Sequence, residues 1–91
     1  DKNPSMVRKE VLTKAVQGIC QQVLGGIEVF ANKPNGTLFV DRKCLCTVHV
    51  TGENSARLEW NIPICVQFKL EYGPVEEAFK ALLLNQGLSS S

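Results

Sequence analysis

The chain has 91 residues, of which 44% are hydrophobic and 21% are charged. This composition is typical of one folded domain and argues against disorder, because a chain of this size has room for a single hydrophobic core. Ten basic and nine acidic residues leave a net charge of +1, which gives no electrostatic reason to expect nucleic acid as a partner. No apolar run approaches the roughly 20 residues of a membrane span, so we expect no transmembrane segment.

Two helices are predicted, one near each end of the chain. The first covers residues 5–24, with Ser5 as its N-cap, an apolar stripe at helical spacing, and Gly25 and Gly26 at its end. The second covers residues 74–86 and begins with a proline and two glutamates, which suit the first turn of a helix.

An antiparallel sheet is predicted between these helices, over residues 27–72. Turn-forming residues at 33–36 and 51–55 separate segments that are rich in strand formers. Together with the helices, these strands predict an α+β fold of two layers, with an antiparallel sheet of four to five strands. Both helices would cover one face of the sheet and leave the other face in water.

The longest alternating stretch covers residues 57–72, where apolar side chains occupy the even positions and mostly polar ones the odd positions. This period is typical of a strand with one buried and one solvated face. A single strand of that length would span about 50 Å, which is too long for so small a domain. Pro63 cannot donate a ladder hydrogen bond, so we expect a break or bulge near residues 61–63 that divides the stretch into two strands.

Four cysteines bear on the compartment and on metal binding. Cys44 and Cys46 are two apart on a predicted strand, so both should point to one face, too far apart for a disulfide between them. Cys65 falls on the polar side of the alternating stretch. His49 should point away from both strand cysteines, which disfavours zinc. We expect reduced thiols, no metal and a cytoplasmic or nuclear protein; the alternative is a secreted, disulfide-bonded domain with a glycosylation sequon at Asn35.

No combination of residues predicts an enzyme. His49 is the one histidine of the sequence, and no neighbouring residue is expected to orient it as a base. We therefore expect neither catalytic residues nor a cofactor. The helix–strands–helix order is also that of double-stranded-RNA-binding domains, but Glu76 and Glu77 open the last helix, where those domains need lysines for phosphates.

Two resemblances to known families bear on function. An opening helix is followed by three segments: the alternating residues 56–63, Val-Gln-Phe-Lys-Leu at 66–70, and a last helix that carries Ala-Phe-Lys at 78–80. This order resembles the kinase-associated domain type 1, the C-terminal module of microtubule-affinity-regulating and related protein kinases. The resemblance implies a domain that binds anionic phospholipid, restrains a kinase domain or holds partner subunits. Residues 21–25 are similar to the Gln-x-Val-x-Gly string of cystatins.

We expect a non-catalytic regulatory or interaction domain, residues 1–91, cut from a longer intracellular protein and contacting a protein partner or its own parent chain. The contact should lie on the wet sheet face or on a strand edge near Pro63. The alternative is a module for anionic phospholipid or a membrane surface that uses Arg42, Lys43, Arg57 and Lys69. The second alternative is a cystatin-like or other secreted binding domain.

Overall fold

The computed structural model describes residues 3–90, which form helices on one side of a five-stranded sheet. The helices are α1 (Pro4–Val23), α2 (Ile62–Gln67) and α3 (Gly73–Asn85). The strands are β1 (Phe30–Asn32), β2 (Thr37–Val40), β3 (Lys43–Gly52), β4 (Ser55–Trp60) and β5 (Ser89–Ser90). They lie in chain order in the sheet; β1 to β4 pair antiparallel, whereas β5 pairs parallel to β4.

The predicted fold class, α+β with two layers, is confirmed. Leu12, Val16 and Cys20 recur every four residues along α1, and Val75, Phe79 and Leu83 do the same along α3; all are fully buried. These stripes join one hydrophobic core with the inward side chains of the sheet. The inward set comprises Leu38, Val40, Cys46, Val48, Ala56 and Leu58, all buried. A single apolar side of each element therefore accounts for the core.

Helix α1 begins earlier than predicted. Asn3, and not Ser5, is the N-cap: its side-chain Oδ1 accepts a hydrogen bond of 2.8 Å from the backbone N–H of Met6. Pro4 then occupies the start of the helix, where its missing N–H is not needed. The predicted end is confirmed, because the helix stops at Val23 immediately before the turn that contains Gly25 and Gly26.

The alternating stretch is the main error of the sequence prediction. The expected break is present, since β4 ends at Trp60, but the residues beyond it form helix α2 and a loop instead of a second strand. Pro63 lies in the first turn of α2, where proline is well tolerated. The backbone N–H of Cys65 donates to the carbonyl of Asn61 at 3.0 Å and so begins the helical pattern. Over so short a segment, the spacing of apolar residues does not distinguish a helix from a strand.

A β-bulge in β3 changes which residues point inward. Leu38 of β2 pairs with Cys46 of β3, but the next residue, Phe39, pairs with Cys44, so Leu45 is the extra residue. Leu45 and Cys46 are both buried, whereas Cys44 is half-buried on the opposite face. The prediction that Cys44 and Cys46 point to one face is therefore wrong, because the extra residue shifts the two-residue period.

Three aromatic side chains from different segments contribute to the core. Phe79 of α3 is 1% exposed, and Trp60 and Phe68 are partly buried against the same cluster. Trp60 also stacks on Tyr72, with ring centroids 5.3 Å apart, and its Nε1 donates to Glu76 Oε1 at 2.6 Å. Glu76 therefore does more than favour the start of α3: it ties that helix to the end of β4.

Phe79→Ala should lower the free energy of unfolding by about 3–5 kcal/mol, because the cavity lies between α3 and the sheet. A loss of that size unfolds a domain of marginal stability. Chemical denaturation followed by tryptophan fluorescence measures it. Leu84→Ala is the matched control, since Leu84 is on the same helix but 74% exposed, and it should change stability by less than about 0.5 kcal/mol. Equal effects of the two substitutions would contradict the packing of α3 on the sheet.

Candidate interaction surface

The sheet face opposite the helices, called here the outer face, is open. Strand pairing arranges its side chains in three rows across the sheet. The first row, the aromatic row, consists of Phe30, Phe39 and Cys44. The second is polar and consists of Asn32, Thr37, Thr47 and Glu59. The third contains His49 and Arg57. The outer face therefore changes from apolar at one end to charged at the other.

The aromatic row lies at the edge of the sheet. Phe30 belongs to β1, which has β2 as its one strand neighbour among residues 3–90. Its side chain is 58% exposed, although a phenylalanine normally gains by burial. Phe39 lies directly beside it and is half-buried. An exposed phenylalanine with a half-buried aromatic neighbour, beside a free strand edge, is a combination typical of a surface that contacts another molecule.

Two glutamines of α1 hold the residue that precedes β1. Gln17 Nε2 donates to the carbonyl of Val29 at 2.6 Å, and the N–H of Val29 donates to Gln21 Oε1 at 3.3 Å. Because the glutamines are four residues apart, they project from the same side of the helix. Gln21 opens the string that is similar to a cystatin motif, and here it has a structural role within one domain.

The charged end of the outer face contains a hydrogen-bonded pair across two strands. His49 Nε2 donates to Glu59 Oε1 at 2.8 Å, and both side chains are accessible to solvent. The hydrogen bond and charge of His49, with a smaller effect of Arg57, lower the pKa of Glu59. Glu59 thereby orients the His49 ring, whereas the sequence predicts no neighbouring residue in that role.

The predicted basic residues do not form one patch. Arg42 and Lys43 lie together at the turn between β2 and β3, beside the end of the aromatic row. Arg57 pairs with His49, which lies six residues beyond Lys43 on β3. The separation of Arg57 from Lys43 along the sheet is therefore roughly 15–20 Å. Asp41 and Arg42 both have positive φ, 50° and 64°, as the two-residue turn of a tight hairpin requires.

Pro63 and Lys69 lie at the two ends of α2, so the predicted strand edge at Pro63 does not exist. Lys69 has a φ of 56° and follows the helix at the position that glycine usually occupies. The N–H of Lys69 bonds to the carbonyl of Val66, and that of Leu70 to Cys65. The other two helices end with the same pair of bonds, and in each of them the equivalent residue is glycine, Gly25 or Gly87.

Lys69→Gly should raise the free energy of unfolding by about 1 kcal/mol, because glycine adopts a left-handed conformation without the steric cost of a Cβ atom. Lys69→Ala is the control: it removes the same charge but keeps the Cβ, and so should not stabilise the domain. Denaturant titrations of the three proteins measure the difference. If Lys69→Ala raises the free energy of unfolding as much as Lys69→Gly does, the effect comes from the lost charge. That result would contradict backbone strain at Lys69.

Helix α2 also exposes apolar side chains. Ile62 is 46% and Val66 71% exposed, and they lie one turn apart on the same side of the helix. The buried side of α2 contains Cys65, which was expected on the solvated face of a strand. That expectation is wrong because the segment is helical. Two exposed aliphatic side chains next to Lys69 form a second, smaller candidate surface.

A shallow depression of about 180 Å³ lies where the outer face meets the start of α2. It is smaller than the roughly 300–1,000 Å³ of typical ligand pockets. The depression is lined by Cys44, Cys46, Thr47, Glu59, Trp60 and Asn61. It extends the aromatic row through Cys44.

Neither a metal cluster nor a membrane-spanning helix is found within residues 3–90. No group of three or more His, Cys, Asp or Glu side chains in this range is arranged to hold a metal ion. No helix in the same range is both long enough and apolar enough to cross a membrane. Comparison with known proteins returned no matching family model, no matching curated protein and no matching solved structure.

Proposed function

We propose that this domain is a non-catalytic protein-interaction module whose contact surface is the β1 edge together with the aromatic row. The observation that carries the proposal is Phe30, which is 58% exposed on an edge strand, whereas the large apolar side chains of β2 and β3 on the opposite face, such as Leu38 and Val48, are buried. The proposal places the domain in the cytoplasm or nucleus, where thiols stay reduced. A regulatory module of a protein kinase, as the resemblance implies, is one parent protein that fits it.

The chemistry of the edge favours an extended polypeptide as the partner. A strand edge presents backbone N–H and C=O groups, and a partner strand can satisfy them by adding to the sheet. Val29 is already bonded to the α1 glutamines, so the free part of the edge is β1 itself, Phe30–Asn32. Phe30 and Phe39 would then contact an apolar side chain of the added strand. This mode supplies affinity from the backbone and specificity from the aromatic row.

Phe30→Asp should weaken partner binding at least tenfold, because it places a charge at the centre of the apolar contact. The partner is first recovered by affinity capture with the wild-type domain, and binding of the purified partner is then measured by calorimetry. Leu84→Asp is the matched control: Leu84 is also strongly exposed but lies on α3, on the helical side. The control should bind like the wild type.

Two outcomes would contradict this proposal. A partner that binds Phe30→Asp as well as the wild type does not use the aromatic row. A partner lost with Leu84→Asp but kept with Phe30→Asp uses the helical side instead. Melting curves of both variants separate loss of contact from loss of folding, since both positions are exposed and neither substitution should lower the melting temperature by more than a few degrees.

A second candidate function, binding to an anionic membrane surface, is favoured by α2. Its exposed Ile62 and Val66 could enter the headgroup region while Lys69, Arg42 and Lys43 supply positive charge. Sedimentation with phosphatidylserine vesicles tests it against the first. We predict no more binding to these vesicles than to phosphatidylcholine vesicles. Salt-sensitive binding that is lost in Val66→Asp and in the Arg42→Glu, Lys43→Glu double variant would favour the membrane surface.

A further inference from the structure

The backbone of Val29, at the start of the β1 edge, is already occupied by side chains of α1. Gln17 Nε2 donates to the Val29 carbonyl at 2.6 Å, and Gln21 Oε1 accepts from the Val29 N–H at 3.3 Å. A residue of a neighbouring antiparallel strand supplies the same two groups, one donor and one acceptor. Val29 is 1% exposed and both glutamines are half-buried, so the contact belongs to the packed structure. The two side chains, called here the glutamine cap, therefore take the place of a paired strand at Val29.

The hydrogen bonds of β2 show which backbone groups of β1 face the open edge. The carbonyl of Gly36 accepts a hydrogen bond of 2.7 Å from β3. Successive strand residues direct their N–H and C=O groups to opposite sides, so the next residue, Thr37, faces β1 and its partner Asn32. Ala31 then faces away from β2, on the same side as Val29. The outward backbone groups of this edge belong to these two residues, and those of Val29 are capped.

Antiparallel pairing of two copies of β1 would need both outward-facing residues. In the register centred on Phe30, a two-fold axis places Val29 of each copy opposite Ala31 of the other, and each pair would exchange both of its N–H···O bonds. The two exposed phenylalanine rings would then lie side by side on one continuous outer face. A register centred on Ala31 would again use Val29, opposite Lys33. The edge is self-complementary, and the glutamine cap occupies groups that both registers require.

We propose that Gln17 and Gln21 are specificity-determining residues of the β1 edge, which close it to a second copy of this chain. Exposed strand edges pair readily with identical edges unless something covers them. The cap leaves Ala31 open, so the edge accepts an extended partner segment that ends or bends away before Val29. The inference rests on the proposed function in taking β1 as the contact edge, and it narrows the partner to a short extended segment.

Sedimentation equilibrium of the Gln17→Ala, Gln21→Ala double variant tests the proposal, with the chain itself as the probe. The variant should dimerise at least about tenfold more strongly than the wild type, because the N–H and C=O of Val29 become available in each copy. Gln22→Ala is the matched control: Gln22 is on the same helix but exposed, and this variant should behave like the wild type. Adding Phe30→Asp to the double variant should abolish the dimer, since two carboxylates would then face each other across the axis.

Amide hydrogen exchange of the wild-type monomer, followed by NMR, tests the backbone directions separately. The N–H of Val29 should be protected by Gln21, and the N–H of Ala31 should exchange at least about tenfold faster. In the Gln21→Ala variant at low concentration, the N–H of Val29 should lose its protection, whereas Phe30 and Asn32 should keep theirs because they face β2.

A folded double variant that stays monomeric would overturn the proposal, as would a dimer that survives Phe30→Asp or a wild type that dimerises as strongly. Slow exchange at Ala31 in the wild-type monomer would overturn it as well. If the double variant does not fold, Gln21→Ala, which frees the N–H of Val29, carries the same association test. None of these measurements uses a partner, so a failure of the proposed function, seen as unchanged partner binding by Phe30→Asp, is recognised separately.

Discussion

The whole arrangement depends on the sheet having one covered face. Helices α1 and α3 bury the inward side chains of β2, β3 and β4, and within residues 3–90 no element covers the outer face. The bulge at Leu45 sets which residues of β3 belong to each face, since it shifts the alternation by one residue. It turns Cys46 into the core and Cys44 to the aromatic row. The inward packing of β3 and the candidate contact surface therefore have the same structural origin.

Patterns that repeat along the chain were enough to predict the fold class. The apolar stripe of α1, the turns at 33–36 and 51–55, and the two terminal helices all follow from local spacing and turn chemistry. The sequence could not show that residues 62–67 form a helix, because their apolar residues fit both periods. Nor could it show that β5 pairs parallel to β4, since that pairing depends on the packing of α3 and involves only Ser89 and Ser90.

The candidate surface was predictable as a face but not as a set of residues. Because each helix has a single apolar stripe, the helices can cover one face of the sheet and leave the other face open. That Phe30 points outward depends on the register of β1 with β2, which a strand of three residues does not reveal. Arg57 lies on the outer face as expected for a polar residue between apolar ones. Pro63 lies in α2 and Lys69 in the turn that follows it, so neither has a part in a strand edge.

Thiol labelling of the native domain tests the one-sided sheet most directly. Iodoacetamide reacts with accessible thiolates, and peptide mapping gives the rate at each cysteine. With the bulge and the covered face as described, Cys44 should react at least about tenfold faster than Cys46, and buried Cys20 and Cys65 should also be protected. Equal rates at Cys44 and Cys46 would mean that both point to one face of a regular strand, and would contradict the account.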